Sequence, residues 1–293
     1  MAKKETDTTA EEEKMMKRIL TIQDISCFGK CSTTIALPVL SAMGIETAVL
    51  PTAVLSTHTM FKDYIKRDLT DTILPFAKQW KDNGVTFDAI YTGYLGNVKD
   101  IELVMNVIDL FRDEDTILFV DPVFGDHGRA YAGISEDYGA HCAELCRAAD
   151  YAVPNITEAC LMTGMEYREE YDEGYIAELA RRVCALGAAN AVVTGVSYCR
   201  DTIGYHGLSR NTGKTFGYQN QKIDVSYHGT GDLFSAAAAG ALVCGKGPDD
   251  AFRIAADYTA ETIRVTKEDS DDPRFGIHFE STIPDLHGMM GKA

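Results

Sequence analysis

Toward the carboxyl-terminal end, the run Tyr227-His228-Gly229-Thr230-Gly231-Asp232-Leu233-Phe234 opens an alanine-rich stretch. Its residue types and spacing suit an anion site. Two glycines let successive main-chain N–H groups converge on one point, and a helix starting behind them adds about half a positive charge at its N-terminus. Such amides hold phosphate without a lysine cluster. Asp232, in the first turn, has two readings. It can be an ordinary helix cap, or it can accept the proton of an attacking hydroxyl while the amides stabilise a phosphoryl group in transfer. Phosphoryl transfer asks a protein mainly for positioning and electrostatics, and this constellation supplies both. Two similar-looking segments fall away. Gly240–Gly247 nearly fits G-x-x-x-x-G-K-[ST], but Gly247 replaces the hydroxyl residue and the segment closes an apolar helix. Gly229-x-Gly231 starts like a dinucleotide fingerprint, yet Phe234 occupies the third glycine position.

The elements that must position this motif are legible as short apolar runs alternating with helical patterns. Arg18–Gln23, Glu46–Leu50, Phe87–Thr92, Thr116–Val120, Asp150–Val153 and Ala191–Thr194 are predicted strands. Helices are predicted over Ser32–Met43, Asp71–Asn83, Asp100–Arg112, Tyr138–Ala149, Tyr175–Leu186, Thr230–Gly245 and Asp249–Val265. Unpatterned apolar strands alternating with helices mark an α/β fold: a three-layer αβα, doubly wound, mostly parallel sheet. From Asp201 to Tyr227 the pattern becomes alternating and turn-rich, which predicts an antiparallel edge. Residues 18–293 read as one domain behind a polar arm, Met1–Lys17, that lacks the apolar core of a secretion signal. In such sheets ligands collect beyond the carboxyl ends of the strands. Asp24, Gly93–Gly96, Asp121, Asn155, Thr194 and Gly195 therefore join Asp232 as candidates.

Composition narrows the classes. Of 293 residues, 28 are basic and 44 acidic, a net charge of −16. A phosphate-backbone binder needs clustered Lys and Arg, so nucleic acid is excluded as a partner. No apolar run approaches the roughly 18 residues a membrane helix needs. Eight cysteines are present without C-x-x-C spacing; they read as reduced, mostly buried thiols of a cytoplasmic protein, with Cys27/Cys31 as a remote metal pair.

With these residues in view, the chain resembles the ribokinase superfamily and, within it, the pyridoxal kinases. The matching segments are Arg18–Gln23, Ser56-Thr57-His58-Thr59, Thr92-Gly93-Tyr94-Leu95-Gly96, Asp121-Pro122-Val123-Phe124-Gly125-Asp126, Pro154-Asn155-Ile156-Thr157-Glu158 and Gly229–Phe234, in family order. The resemblance implies ATP-dependent phosphorylation of a hydroxymethyl group on the ring of pyridoxal, pyridoxamine or pyridoxine. Asp232 would be the base and Gly229, Thr230 and Gly231 the anion hole. Asp121 and Glu158 would serve Mg²⁺, which keeps waters and takes one or two carboxylates; a monovalent cation is a further candidate. Asp126, Tyr131, Asn155, Thr194, Gly195, Tyr227 and His228 would serve the nucleotide. Asp24, His58, Thr59 and Tyr94 would line the substrate pocket, and a homodimer is implied. The loop Phe124–Gly133 has the glycine content of a lid. Two positions depart from the pattern. Asp24-Ile25 replaces a common Ser-His pair, and a carboxylate there would pair with a protonated ring nitrogen or an amine, favouring pyridoxamine. Val153 replaces a hydroxyl residue. A hydroxymethylpyrimidine kinase of the same fold, and a non-catalytic nucleotide- or vitamer-binding regulator, are the alternative functions. The former would show a glycine-rich first loop, whereas Asp24–Cys31 contains only Gly29.

Overall fold

The computed structural model describes residues 16–269 and 272–291; most of the predicted polar arm lies outside them. The strands are β1 (Arg18–Ser26), β2 (Glu46–Leu55), β3 (Lys66–Asp68), β4 (Ala89–Thr92), β5 (Ile117–Val120), β6 (Gly125–Asp126), β7 (Arg129–Ala130), β8 (Tyr151–Ala152), β9 (Asn190–Val196), β10 (Thr202–Ser209) and β11 (Thr215–Gln221). The helices are α1 (Thr33–Ala42), α2 (Ile73–Asp82), α3 (Val98–Phe111), α4 (Tyr138–Arg147), α5 (Ile156–Thr163), α6 (Glu173–Leu186), α7 (Thr230–Val243), α8 (Pro248–Asp269) and α9 (Phe279–Met290).

A nine-stranded sheet runs in the order β11-β10-β9-β8-β5-β4-β1-β2-β3. Pairs from β9 through β2 are parallel. The predicted antiparallel edge is present as β9-β10-β11, and β3 adds a second at the opposite end. Because β2 and β4 flank β1 on opposite sides, the chain reverses direction between β1 and β4, and a crevice opens there at the carboxyl ends.

Side-chain alternation explains why both faces need helices. On β1, Leu20 and Ile22 pack with α2, α3, α5 and α6 residues such as Val104 and Leu179. Ile19 joins Leu40, Ala237 and Phe252 of α1, α7 and α8 on the other face. The parallel strands are therefore apolar on both sides, which is what removes a simple alternating pattern from them.

Differences from the predicted elements have local causes. β2 continues five residues beyond Leu50, through Pro51 and past a bulge where its register to β1 slips between Gln23 and Ile25. α5 begins directly after Pro154-Asn155, where only a strand end was expected. The predicted loop Phe124–Gly133 contains the hairpin β6–β7, whose turn residues His127 and Gly128 both have positive φ, 50° and 74°. α9 was not anticipated and contains Pro284.

Candidate active site

α7 starts where the anion motif places it. Gly229 caps the helix in the left-handed region, φ 87°. A Cβ there would lie 2.4 Å from the Lys30 carbonyl oxygen and 2.5 Å from Ile35 Cδ1, so both conformation and space require glycine. The first intrahelical bond runs from Leu233 N–H to Gly229 C=O, 2.9 Å. The amides of Thr230, Gly231 and Asp232 precede it and are the donors a helix N-terminus leaves for a ligand. Gly231 is exposed, and a Cβ on it would meet nothing within 4 Å. Asp232 remains partly exposed while its carboxylate accepts the Ser32 N–H. Burial pushes its pKa up to about 7; the Ser32 amide opposes this and the nearby Asp24 charge adds to it. A carboxylate poised there is half-ionised near neutrality, as a general base should be.

A second acidic pair lies alongside. Asp121 follows β5 and is 7% exposed, and Glu158, 2% exposed, sits in the first turn of α5. Ser235, one turn beyond Asp232 on α7, donates to Asp121 Oδ2 at 2.6 Å. Glu158 accepts from Phe124 N–H at 3.0 Å and from Asn155 N–H at 2.8 Å. Burial pushes both carboxylates up; Asp121 raises Glu158 further, and Asp232 raises Asp121. Two buried acids beside the partly exposed Asp232, each raised by a neighbouring carboxylate, form a place where positive charge is missing. Hard oxygen donors with lone pairs to spare fit Mg²⁺ that keeps its waters. Among the described residues no cluster of three or more His, Cys, Asp or Glu could hold a metal alone; phosphate oxygens and water would complete the set.

Among the residues expected to line the substrate pocket, Asp24 is 4% exposed. Burial raises its pKa, against hydroxyl hydrogen bonds from Ser32 and from Ser26, whose Oγ donates to Oδ2 at 3.0 Å. His58 is buried, but both ring nitrogens are engaged by main chain: Nε2 with Arg274 C=O at 2.8 Å, and Nδ1 accepting Met60 N–H at 3.2 Å. Its ring packs against His228, with centroids 4.0 Å apart, and against Phe61 at 4.9 Å. Burial, then the facing His58, lowers His228 to about 4. Both imidazoles are thus neutral beside the anion hole. Tyr94 is partly buried and its hydroxyl feels Asp24, whereas Thr59 is exposed on a turn.

Among the residues expected to serve the nucleotide, Asn155 spends its polar atoms on the protein. Its Oδ1 accepts Glu158 N–H at 2.9 Å, completing a capping box, and Nδ2 donates to Gly125 C=O at 2.8 Å. Its role is to fix Glu158 and the hairpin. Thr194 bridges to Asn155 across β9, and Gly195, φ 71°, leaves open space at the strand end. Tyr131 is 44% exposed, and burial together with Glu158, Asp126 and Asp121 raises its hydroxyl. Val153 is buried at 2% exposure and offers no hydroxyl. Tyr227 is buried in the core behind the motif. One feature was missed from sequence: a groove of about 610 Å³ lined by Lys222, Ile223, Asp224, Asp257, Glu261 and Arg264, where the β11–α7 loop meets α8. Its walls come from segments 30 to 40 residues apart with no shared motif. The groove is open and largely charged, and none of the predicted site residues lines it.

Comparison with known proteins bears on the family and the fold. Residues 37–274 match the family of phosphomethylpyrimidine kinases. Pyridoxal kinase of Lactobacillus plantarum is 30% identical, with a TM-score of 0.86 over 93% of this chain and 97% of that one. A Bacteroides thetaiotaomicron protein assigned as a phosphomethylpyrimidine kinase, solved in a form with pyridoxal, is 31% identical with a TM-score of 0.88 over 92% and 96% of the two chains. Pyridoxal kinase of Dictyostelium discoideum is 27% identical over 241 residues, 77% of this chain and 78% of that one.

Proposed function

The chain belongs to the phosphomethylpyrimidine kinase family, in the company of its pyridoxal kinases, and from that premise we propose that it transfers the γ-phosphoryl group of ATP to the 5′-hydroxymethyl group of pyridoxal, pyridoxamine or pyridoxine. The observation that carries this reading is Asp232: a partly exposed carboxylate in the first turn of a glycine-capped helix, beside the Thr230 and Gly231 amides, whose pKa burial pushes up to about 7.

Asp232 accepts the hydroxyl proton as the oxygen attacks, which makes a poor nucleophile a good one without requiring a free alkoxide. The Thr230, Gly231 and Asp232 amides, backed by the α7 dipole, neutralise charge on the phosphoryl oxygens as the bond to the leaving group lengthens. Asp121 and Glu158 would hold Mg²⁺, which would supply positive charge to the polyphosphate. Ser235 keeps Asp121 at a fixed distance from Asp232 along α7. Thr194 and Gly195 at the end of β9 meet the nucleotide, and the β6–β7 hairpin with Asp126 and Tyr131 covers the phosphates and excludes water. Asp24 and Tyr94 hold the pyridine ring, with the packed His58–His228 ring pair forming the neighbouring wall.

No disulfide links cysteines among the described residues, which supports a reducing, cytoplasmic setting. The exposed apolar side chains Phe28, Met60, Ile65 and Phe275 support a homodimer. The test of the function is ADP release by purified protein with ATP, Mg²⁺ and, separately, pyridoxal, pyridoxamine, pyridoxine and 4-amino-5-hydroxymethyl-2-methylpyrimidine. Stimulation by the pyridines is expected; stimulation by the pyrimidine alone would overturn the ring assignment.

A further inference from the structure

The kinase reading leaves one cation at the substrate end without an assignment, and its position is set by strand register. Ser26 of β1 lies opposite Leu55 of β2, and Leu55 lies opposite Lys66 of β3. In-register neighbours on adjacent strands project to the same face, so Ser26, Leu55 and Lys66 form one row. Asp24, two residues before Ser26 and hydrogen-bonded to it, stands at one end of that row. Lys66 stands two strands away, about 10 Å in backbone separation.

The Lys66 stem leans back toward the crevice. Its Nζ lies 3.7 Å from the point a Cβ on Gly96 would occupy, a point that is also 3.4 Å from Asp100 Oδ2 and 3.9 Å from Tyr94 Cε1. The ammonium therefore sits beside the same Tyr94 that faces Asp24. The other acids nearby are already served. Asp100 accepts from Thr70 Oγ1 at 2.6 Å and Asn97 Nδ2 at 2.8 Å, and Asp68 accepts from Thr70 N–H at 2.9 Å. Lys99, the neighbouring cation, pairs with Asp71 at 3.7 Å, while Lys66 forms no ion pair within 4 Å among the described residues. The positive charge of Lys66 acts on Asp24 itself.

We infer that Asp24 and Lys66 are the two poles of a clamp for the zwitterionic 3-hydroxypyridine ring, Asp24 accepting the ring N–H⁺ and Lys66 donating to the ring oxyanion. This deepens the proposed function and rests on it. Desolvation alone would drive such a ring to its neutral tautomer, with the proton on oxygen. A carboxylate at nitrogen and an ammonium at oxygen reverse that preference, because each pole favours the charged form of the group it meets. The same poles disfavour a 4-amino-5-hydroxymethylpyrimidine, which carries no oxyanion and would offer the lysine only a neutral ring nitrogen where the pyridine has its charged oxygen. Specificity then comes from the ring's charge pattern, with the transferred hydroxymethyl group left to Asp232.

The experiment uses the full chain with three ligands and three proteins: wild type, Lys66→Met and Lys66→Arg. Pyridoxine is titrated in and the absorption band of the bound ring is recorded, since the zwitterion absorbs at longer wavelength than the neutral tautomer. Affinities for pyridoxine and 3-O-methylpyridoxine are measured by calorimetry, and the KM for ATP is taken alongside. Wild type and Lys66→Arg are expected to show the zwitterion band and to prefer pyridoxine over the methyl ether by about tenfold or more, the size of a charge-assisted hydrogen bond. Lys66→Met is expected to move the band toward the neutral form and to narrow that preference while the KM for ATP stays in place. If Lys66→Met leaves band and preference unchanged, or weakens both ligands equally, the clamp is wrong while the kinase reading stands. If wild type releases no ADP with pyridoxine, the kinase reading falls and takes the clamp with it.

Discussion

At Asp232, burial holds a carboxylate near a pKa of 7, and the same burial opposes chemistry to stability. The ordinary value is 3.8, so the folded state binds the proton more tightly than the unfolded chain. The stability this confers is complete below about 3.8 and is lost as pH rises through 7. Asp232→Asn keeps an acceptor for the Ser32 N–H and removes the buried charge. It is expected to lower turnover by roughly 10²- to 10⁴-fold while raising stability at pH 8 by about 1–2 kcal/mol. Thermal melts between pH 4 and 8 check this: the wild-type Tm should fall across that range more than the variant's, and parallel curves would contradict the assignment. In wild type, kcat/KM for the alcohol should climb about tenfold per pH unit up to about 7 and then level, because only the ionised carboxylate accepts the proton. Much of this residue-scale picture was legible in Gly229-Thr230-Gly231-Asp232, where the chemistry is local. His58 was less so. Its two main-chain partners come from Met60 and from Arg274, 216 residues away, and no local pattern announces the latter.

The start of α7 shows how one element separates folding from function. Gly229 needs φ 87° and has a carbonyl oxygen where a Cβ would go, whereas Gly231 faces open space. Gly229→Ala should therefore cost about 2 kcal/mol or more. Gly231→Ala should alter stability by no more than about 0.5 kcal/mol yet raise the KM for ATP, because the added methyl enters the space before the amides. Denaturant midpoints with ATP kinetics separate the two; equal destabilisation would refute the assignment of that space to a ligand. At α5, Asn155→Ala removes the cap and the tie to Gly125. The expected loss is about 1–2 kcal/mol, with a higher Mg²⁺ requirement as Glu158 loosens. The legibility of elements follows the same physics. The parallel strands and long helices were readable because burial on two faces or one stripe leaves a periodic record. α5 was overlooked although Asn155 and Glu158 have capping-box spacing, because Pro154-Asn155 also reads as a turn. The β3 edge depends on a pairing with β2, and its sequence, Lys66-Arg67-Asp68, carries no strand signal.

For the whole molecule, a net charge of −16 must be reconciled with a polyanionic co-substrate. Long-range repulsion acts before any amide touches phosphate. At low ionic strength it reaches tens of ångströms, and at 0.15 M about 8 Å. The helix-terminal amides act only at contact, since their partial charges fade beyond the first turn. The encounter is therefore slowed by the global field and the complex is held by local geometry, two effects that salt separates. Raising ionic strength from about 0.01 to 0.15 M with tetramethylammonium chloride, a cation too bulky for an inner-sphere site, should increase kcat/KM for ATP by about two- to threefold, with kcat little changed. A binder that gathers phosphate through a lysine-rich surface would show the opposite slope, losing affinity as salt competes. A decline in kcat/KM over this range would mean that the nucleotide approaches a basic patch, and that capped-helix amides are not its main anchor.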